Sequence, residues 1–186
     1  MRKIVNSTFI TLDGAIEDPH LWPSLGGDDS QESFDIHVEL INQCDAVLMG
    51  RRTYESFASA WPTRSGDVYS DRINAMEKLV VSSALRNPTW NNTTVIARDL
   101  VAEVTGLKQR PGKDIVQYGI GQVTYALLEH GLLDELRLWV HPLILGNKGP
   151  QVPHFRDCLP THLNLVASRT LPNGIAILNY HIARQI

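Results

Sequence analysis

Little in this chain marks a metal protein, a disulfide-stapled fold or a membrane protein. Its 186 residues include only two cysteines, Cys44 and Cys158, without metal-ligand spacing. Cys44 falls in an apolar helix pattern, so both read as free thiols in a reducing compartment, the cytoplasm. The seven histidines form no His-Glu-x-x-His or similar cluster, and no bound metal is expected. No Gly-x-Ser-x-Gly elbow or paired Cys and His points to covalent catalysis. Basic charge is not in excess either: the formal charge of -3 offers no field for nucleic acid. No apolar run approaches the length of a membrane span. Met1-Arg2-Lys3 is positive, but no sustained apolar stretch follows. The start therefore reads as a first strand and not as a signal peptide.

What is present is an ordinary globular composition, 43% hydrophobic and 20% charged, over a length that suits one domain across residues 1–186. Strand-like and helix-like segments alternate. Lys3 to Leu12 reads as a strand ended by the turn pair Asp13-Gly14. Residues 17–30 are irregular, and a loop of that length tends to be functional. Helices are expected over Ser33 to Gln43, Thr53 to Ala60, Ser70 to Glu77, the stretch after Asp99, and Gln122 to His130. Strands are expected over residues 46–49, Lys78 to Ser83, Thr93 to Ala97 and Ile115 to Tyr118. From Glu135 the pattern turns to strands alone: Glu135 to Leu145, Leu163 to Thr170 and Gly174 to Ile182. Pro172-Asn173-Gly174 links the last two as a hairpin. The expected fold is α/β: a mostly parallel, mixed sheet with flanking helices and a terminal antiparallel hairpin.

Two short segments carry the strongest chemical signal. Gly50-Arg51-Arg52-Thr53 and Gly119-Ile120-Gly121-Gln122 each follow an apolar strand and open a helix. A strand that turns through glycine into a helix start leaves backbone N–H groups unpaired, and such a place binds phosphate. Gly50 lets backbone approach an anion, Thr53 donates a hydroxyl, and the Arg51 and Arg52 forks suit a terminal phosphate. The plain alternative is a solvated arginine pair with Thr53 as a cap. Two phosphate-type turns point to a ligand with more than one phosphate, such as NADPH.

The second segment, through Val123 to Thr124, is only a partial Gly-x-Gly-x-x-Gly pattern, with Thr124 where the third glycine would stand. Ser82 and Ser83 end a strand on the side where parallel sheets bind ligands, although such a pair also serves as a turn or cap. Among the carboxylates near the long loop, Asp35 is the candidate catalytic group, beside Phe34 on a helix with a buried face. Trp139 and His141 share one face of the Glu135 strand and are candidates to line a site. A strand buried on both faces, or at an oligomer interface, explains them as well.

Taken in order, these motifs resemble the dihydrofolate reductase superfamily. They resemble more narrowly the carboxyl-terminal reductase domain of the bifunctional riboflavin-biosynthesis enzyme. The segments are Thr11-Leu12-Asp13-Gly14, Leu48 to Glu55, Val80 to Ser83, Gly119 to Val123 and Asp134 to Trp139. The resemblance implies a twisted, mostly parallel sheet of about eight strands. It also implies that NADPH is held by Gly50 to Thr53, by Ser82 and Ser83, and by the Gly119 to Thr124 turn. Ile16 and Trp22 would then lie beside the nicotinamide, in a loop that covers it. The implied activity is reduction of a pterin- or pyrimidine-like substrate, as in the phosphoribosylaminouracil and dihydrofolate reductases. A nucleotide-binding protein without turnover is the other reading. A homodimer is expected from the apolar strand Leu136 to Leu145 with Trp139, and from pairing within that family.

Overall fold

Residues 1–25, 30–146, 155 and 158–183 are described by the structure, a computed structural model of the chain. The strands are β1 (Ile4–Thr11), β2 (Cys44–Gly50), β3 (Glu77–Val81), β4 (Thr93–Ile96), β5 (Asp114–Tyr118), β6 (Glu135–His141), β7 (Leu163–Thr170) and β8 (Ala176–Ile182). The helices are α1 (Ser30–Gln43), α2 (Arg51–Ala60), α3 (Val68–Ala75), α4 (Leu100–Gln109) and α5 (Gln122–Glu129). All eight strands form one sheet in the order β4-β3-β2-β5-β1-β6-β8-β7. Every pairing from β4 to β6 is parallel, whereas β8 runs antiparallel to both β6 and β7. The mixed sheet expected from the sequence, with its terminal antiparallel hairpin, is the one found.

Alternation along the strands sorts the side chains into two layers. Val5, Val47, Met49, Val80, Val116 and Tyr118 pack with Leu40 and Ile41 of α1, Tyr54 of α2, and Tyr69 and Ile73 of α3. On the reverse face Ile4, Ala46, Leu48, Leu79 and Ile115 pack with Val104 and Leu107 of α4 and Leu127 of α5. A smaller cluster joins Ile36 of α1 to Trp139, Leu171, Ile175 and Ile177. Asp99 caps α4 through the Ala102 N–H, as its position suggested. In the hairpin, Gly174 adopts φ +87°, a conformation that favours glycine.

Two expectations need correction. β6 stops at His141 and does not reach Leu145, because Pro142 has no N–H to continue the ladder. Nor is β6 an exposed edge: it lies between β1 and β8, and Trp139 is 1% exposed. The exposed edge is β7, whose eight residues are all exposed, including Leu163, Leu165 and Val166. Within the loop after β1, Pro19–Leu21 forms a short 3-10 turn, and residues 26–29 lie outside the described part.

Candidate functional site

Because β1 to β6 are parallel, the turns after β2, β3, β5, β1 and β6 all open on one edge of the sheet. Loops at the carboxyl ends of such strands are where open α/β sheets bind ligands. The two glycine turns meet there. A side chain on Gly119 would strike Thr53 Oγ1 at 2.8 Å, and Gly119 sits at φ +81°, so only glycine fits this contact. Val123 of α5 lies 3.6 Å from where a Gly50 side chain would begin. By contrast, nothing lies within 4 Å of the corresponding position at Gly121.

Neither α2 nor α5 has a side-chain cap: Gly50 and Gly121 occupy the capping positions. The first N–H groups of both helices are therefore left for a ligand or for water, at the positive ends of their dipoles. Three buried side chains hold the second turn rigid. Asn6 Nδ2 and Gln117 Nε2 each donate to the Gly119 carbonyl at 2.8 Å, and Thr124 Oγ1 donates to it at 3.1 Å. Asn6 and Gln117 escaped the sequence reading because a polar residue inside a strand carries no motif. Only their shared acceptor reveals their role.

The remaining residues expected to hold cofactor divide between exposed and engaged groups. Arg51 pairs with Glu55 at 2.7 Å, both half exposed, while Arg52 is exposed and forms no ion pair among the described residues. Ser82 is buried, and its hydroxyl oxygen accepts from the N–H groups of Ala84 and Leu85, a local turn that still leaves its proton to donate. Ser83 is exposed. Gln122 is exposed at the start of α5, and Ile120 is buried beneath the turn. Ile16 is half buried in the loop after β1.

On the α1 side, β1 and β6 present an aromatic cluster. Phe9 lies 5.6 Å from Trp139 and 5.1 Å from His141, and Trp22 meets His141 edge-on at 5.1 Å. The structure thus brings Trp22, Trp139 and His141 together, as the sequence suggested. It also adds Phe9 and His37, which the sequence reading did not single out. His37 of α1 stacks flat on Trp139, 4.2 Å between centroids and 11° between planes. Burial, with the Arg137 charge adding to it, draws His37 down to about 4, so the imidazole is neutral at pH 7. Beside the cluster, the buried hydroxyls of Tyr69 and Tyr118 bond each other at 2.7 Å.

Asp35 is not part of this group. It is exposed, and its carboxylate accepts from Gln31 Nε2 on the same helix. The reason is geometric. Successive residues on a helix are about 100° apart, so with Ile36 and His37 facing the sheet Asp35 faces away. Cys44 is buried and its thiol is pushed up to about 12 by burial, which makes it unreactive, as expected for a free core thiol.

The family of this arrangement is shown by comparison. The model of the RibD C-terminal domain family matches residues 2–177, and the chain belongs to that family. A Bacillus subtilis protein, the uncharacterized protein YyaP, is 28% identical over 97% of this chain and 95% of its own. Among solved structures, a putative riboflavin biosynthesis protein from a Shewanella species has a TM-score of 0.73 at 21% identity, covering 99% of this chain and 100% of its own. A pyrimidine reductase-like protein from Corynebacterium diphtheriae has a TM-score of 0.65 at 16% identity, over 99% and 93% respectively. The Thermotoga maritima diaminohydroxyphosphoribosylaminopyrimidine deaminase and 5-amino-6-(5-phosphoribosylamino)uracil reductase also has a TM-score of 0.65, at 17% identity, with 98% of this chain matching 57% of that longer one. At these identities the structures speak for the fold.

Proposed function

We propose that the protein is an NADPH-dependent reductase that delivers hydride to a small polar or heterocyclic substrate, pterin- or pyrimidine-like. One observation carries the reading. Two uncapped helix starts abut at the ends of β2 and β5, with open space at Gly121 and aromatic rings on the adjoining β1 and β6. In this reading the N–H groups at Gly121 to Thr124 and at Arg51 to Thr53 hold the phosphates. Arg52, Ser82 and Ser83 sit around the adenosine end, and Ile16, Trp22, Trp139 and His141 enclose the reacting rings. The bound nicotinamide supplies the hydride, and the protein orients the partners and excludes water. The riboflavin-type and pyrimidine-type reductases among its structural neighbours support the same class of substrate.

Of the two arginines, Arg52 is the better placed for the extra phosphate of NADPH, since Arg51 already pairs with Glu55. NADPH should bind more tightly than NADH by about ten- to a hundredfold, the value of one charge-assisted contact of roughly 1.5–3 kcal/mol. Arg52→Ala should erase more of that preference than Arg51→Ala. Calorimetric titration with both cofactors checks this, and equal dissociation constants in the parent would refute the assignment.

A second reading, a nucleotide-binding protein without turnover, draws on the outward orientation of Asp35. Oxidation of NADPH with folate, flavin-precursor or carbonyl substrates, followed by absorbance, separates the two.

We also propose a homodimer, now on the evidence of β7 and not of β6. Its exposed edge carries Leu163, Leu165 and Val166 at 39%, 54% and 50% exposure, surface that pairing with a second copy would cover. Light scattering at micromolar concentration should give twice the 20.8 kDa chain mass, and a monomer mass would rule this out.

A further inference from the structure

Most residues of the aromatic cluster have a polar partner. Trp139 Nε1 donates to Ser7 Oγ at 3.2 Å, and Trp22 Nε1 donates to the Glu17 carbonyl at 2.8 Å. The Tyr69 and Tyr118 hydroxyls share one hydrogen bond, and His141 has an interaction of its own, although its buried Nε2 makes no hydrogen bond among the described residues. His37 differs. It makes ring contacts with Phe9, Tyr69 and Trp139 but no hydrogen bond among the described residues. The residue is partly exposed. An imidazole held flat by a tryptophan in a partly exposed residue, with no hydrogen bond among the described residues, is a hydrogen-bonding group waiting for a partner.

We infer that His37 is the specificity-determining residue for substrate, its neutral imidazole N–H donating to a ring carbonyl of a planar, uncharged heterocycle. This rests on the reductase reading and assigns its substrate side. The electrostatics favour an acceptor at this point. Arg137 on β6 puts positive potential on His37, and the Tyr69 ring beside it carries a hydroxyl that burial keeps protonated. Positive potential attracts the oxygen end of a carbonyl dipole and repels an amidinium or ammonium. The partly exposed faces of Phe9 and Trp22 offer stacking surface to a flat ring. A protonated diamino heterocycle, which needs a carboxylate, suits this environment poorly.

The test uses lumazine, a planar uncharged ring with carbonyls, against diaminopteridine, the same ring with a basic edge. Both are titrated by tryptophan fluorescence at pH 7, with and without saturating NADPH. The parent should bind lumazine about tenfold or more tightly than diaminopteridine. His37→Phe, which keeps a ring for the stack but no N–H, should lose about tenfold in lumazine affinity with NADPH affinity unchanged. His37→Gln, which keeps a donor, should retain part of it. In the parent, the His37 ring nitrogen resonances should shift when lumazine saturates. That last measurement decides the matter if His37→Phe does not fold. Failure of the parent to bind lumazine, equal affinity in the parent and both variants, or unmoved nitrogen resonances would overturn the proposal. NADPH binding, measured separately on the same protein, reports on the reductase reading alone.

Discussion

Gly121→Val is expected to lower NADPH affinity by about a hundredfold or more while leaving the protein folded. Gly121 has φ 169°, extended backbone that any residue adopts, so valine introduces no backbone strain. Nothing lies within 4 Å of where its Cβ would stand. Its two methyl groups instead occupy the space over the first N–H groups of α5, where a pyrophosphate would approach. Losing two charge-assisted contacts of about 1.5–3 kcal/mol each accounts for the expected change. Valine is a poorer helix cap than glycine, at a cost of about 1 kcal/mol, too little to unfold a domain. Calorimetric titration with NADPH and circular dichroism on the same sample test both halves. A folded variant that binds NADPH like the parent would reduce the turn to a structural role.

Rigidity makes this turn a stronger candidate than its sequence suggests. The Gly119 carbonyl receives Asn6, Gln117 and Thr124, while its α-carbon backs onto Thr53. Fixing one peptide from four sides fixes the direction of the N–H groups that follow it. Donors already aimed need no reorganisation when an anion arrives. The same polar side chains are buried on β1, β5 and α5, so the sheet itself sets the geometry of the ligand edge.

How legible was all this in the sequence? The strand pattern was, because alternation and glycine turns are local. Leu163 to Thr170 was bounded at both ends, and the Pro172-Asn173-Gly174 hairpin was found where its turn chemistry put it. The two glycine turns were legible for the same reason. Their contact through Gly119 and Thr53 was not, since it joins residues from different strands. Helix faces were harder to read. Asp35 and His37 are two positions apart, and the Phe34, Val38 and Ile41 spacing does not say which of them turns inward. Only the packing of Ile36 and His37 on Trp139 settles that. β6 was misjudged as an edge because its apolar residues were read without its neighbours, β1 and β8.

A buried lysine supplies the last expected result: between pH 8 and 10.5 Lys78 should make the folded state progressively more stable. Lys78 is 0% exposed on β3, where its ammonium donates to the Asn74 carbonyl and lies 4.6 Å from the Trp90 ring, with no carboxylate partner among the described residues. Desolvation therefore draws it from 10.5 down to about 8. Below pH 8 the amine is charged in folded and unfolded chains alike, and the folded state bears the cost of burying it. As pH rises past 8 the folded protein releases this proton while the unfolded chain keeps it up to 10.5, so stability rises across that window. The gain is at most about 3 kcal/mol, at about 1.4 kcal/mol for each pH unit between the two values. Cys44 and Tyr69, both pushed up to about 12 by burial, work in the opposite direction above pH 9 and 10 respectively. Comparison of the parent with Lys78→Met isolates the lysine. The stability difference between them, from urea unfolding at pH 7, 8, 9 and 10, should move in favour of the parent as pH rises. A difference that stays constant over that range would mean Lys78 titrates at its ordinary value.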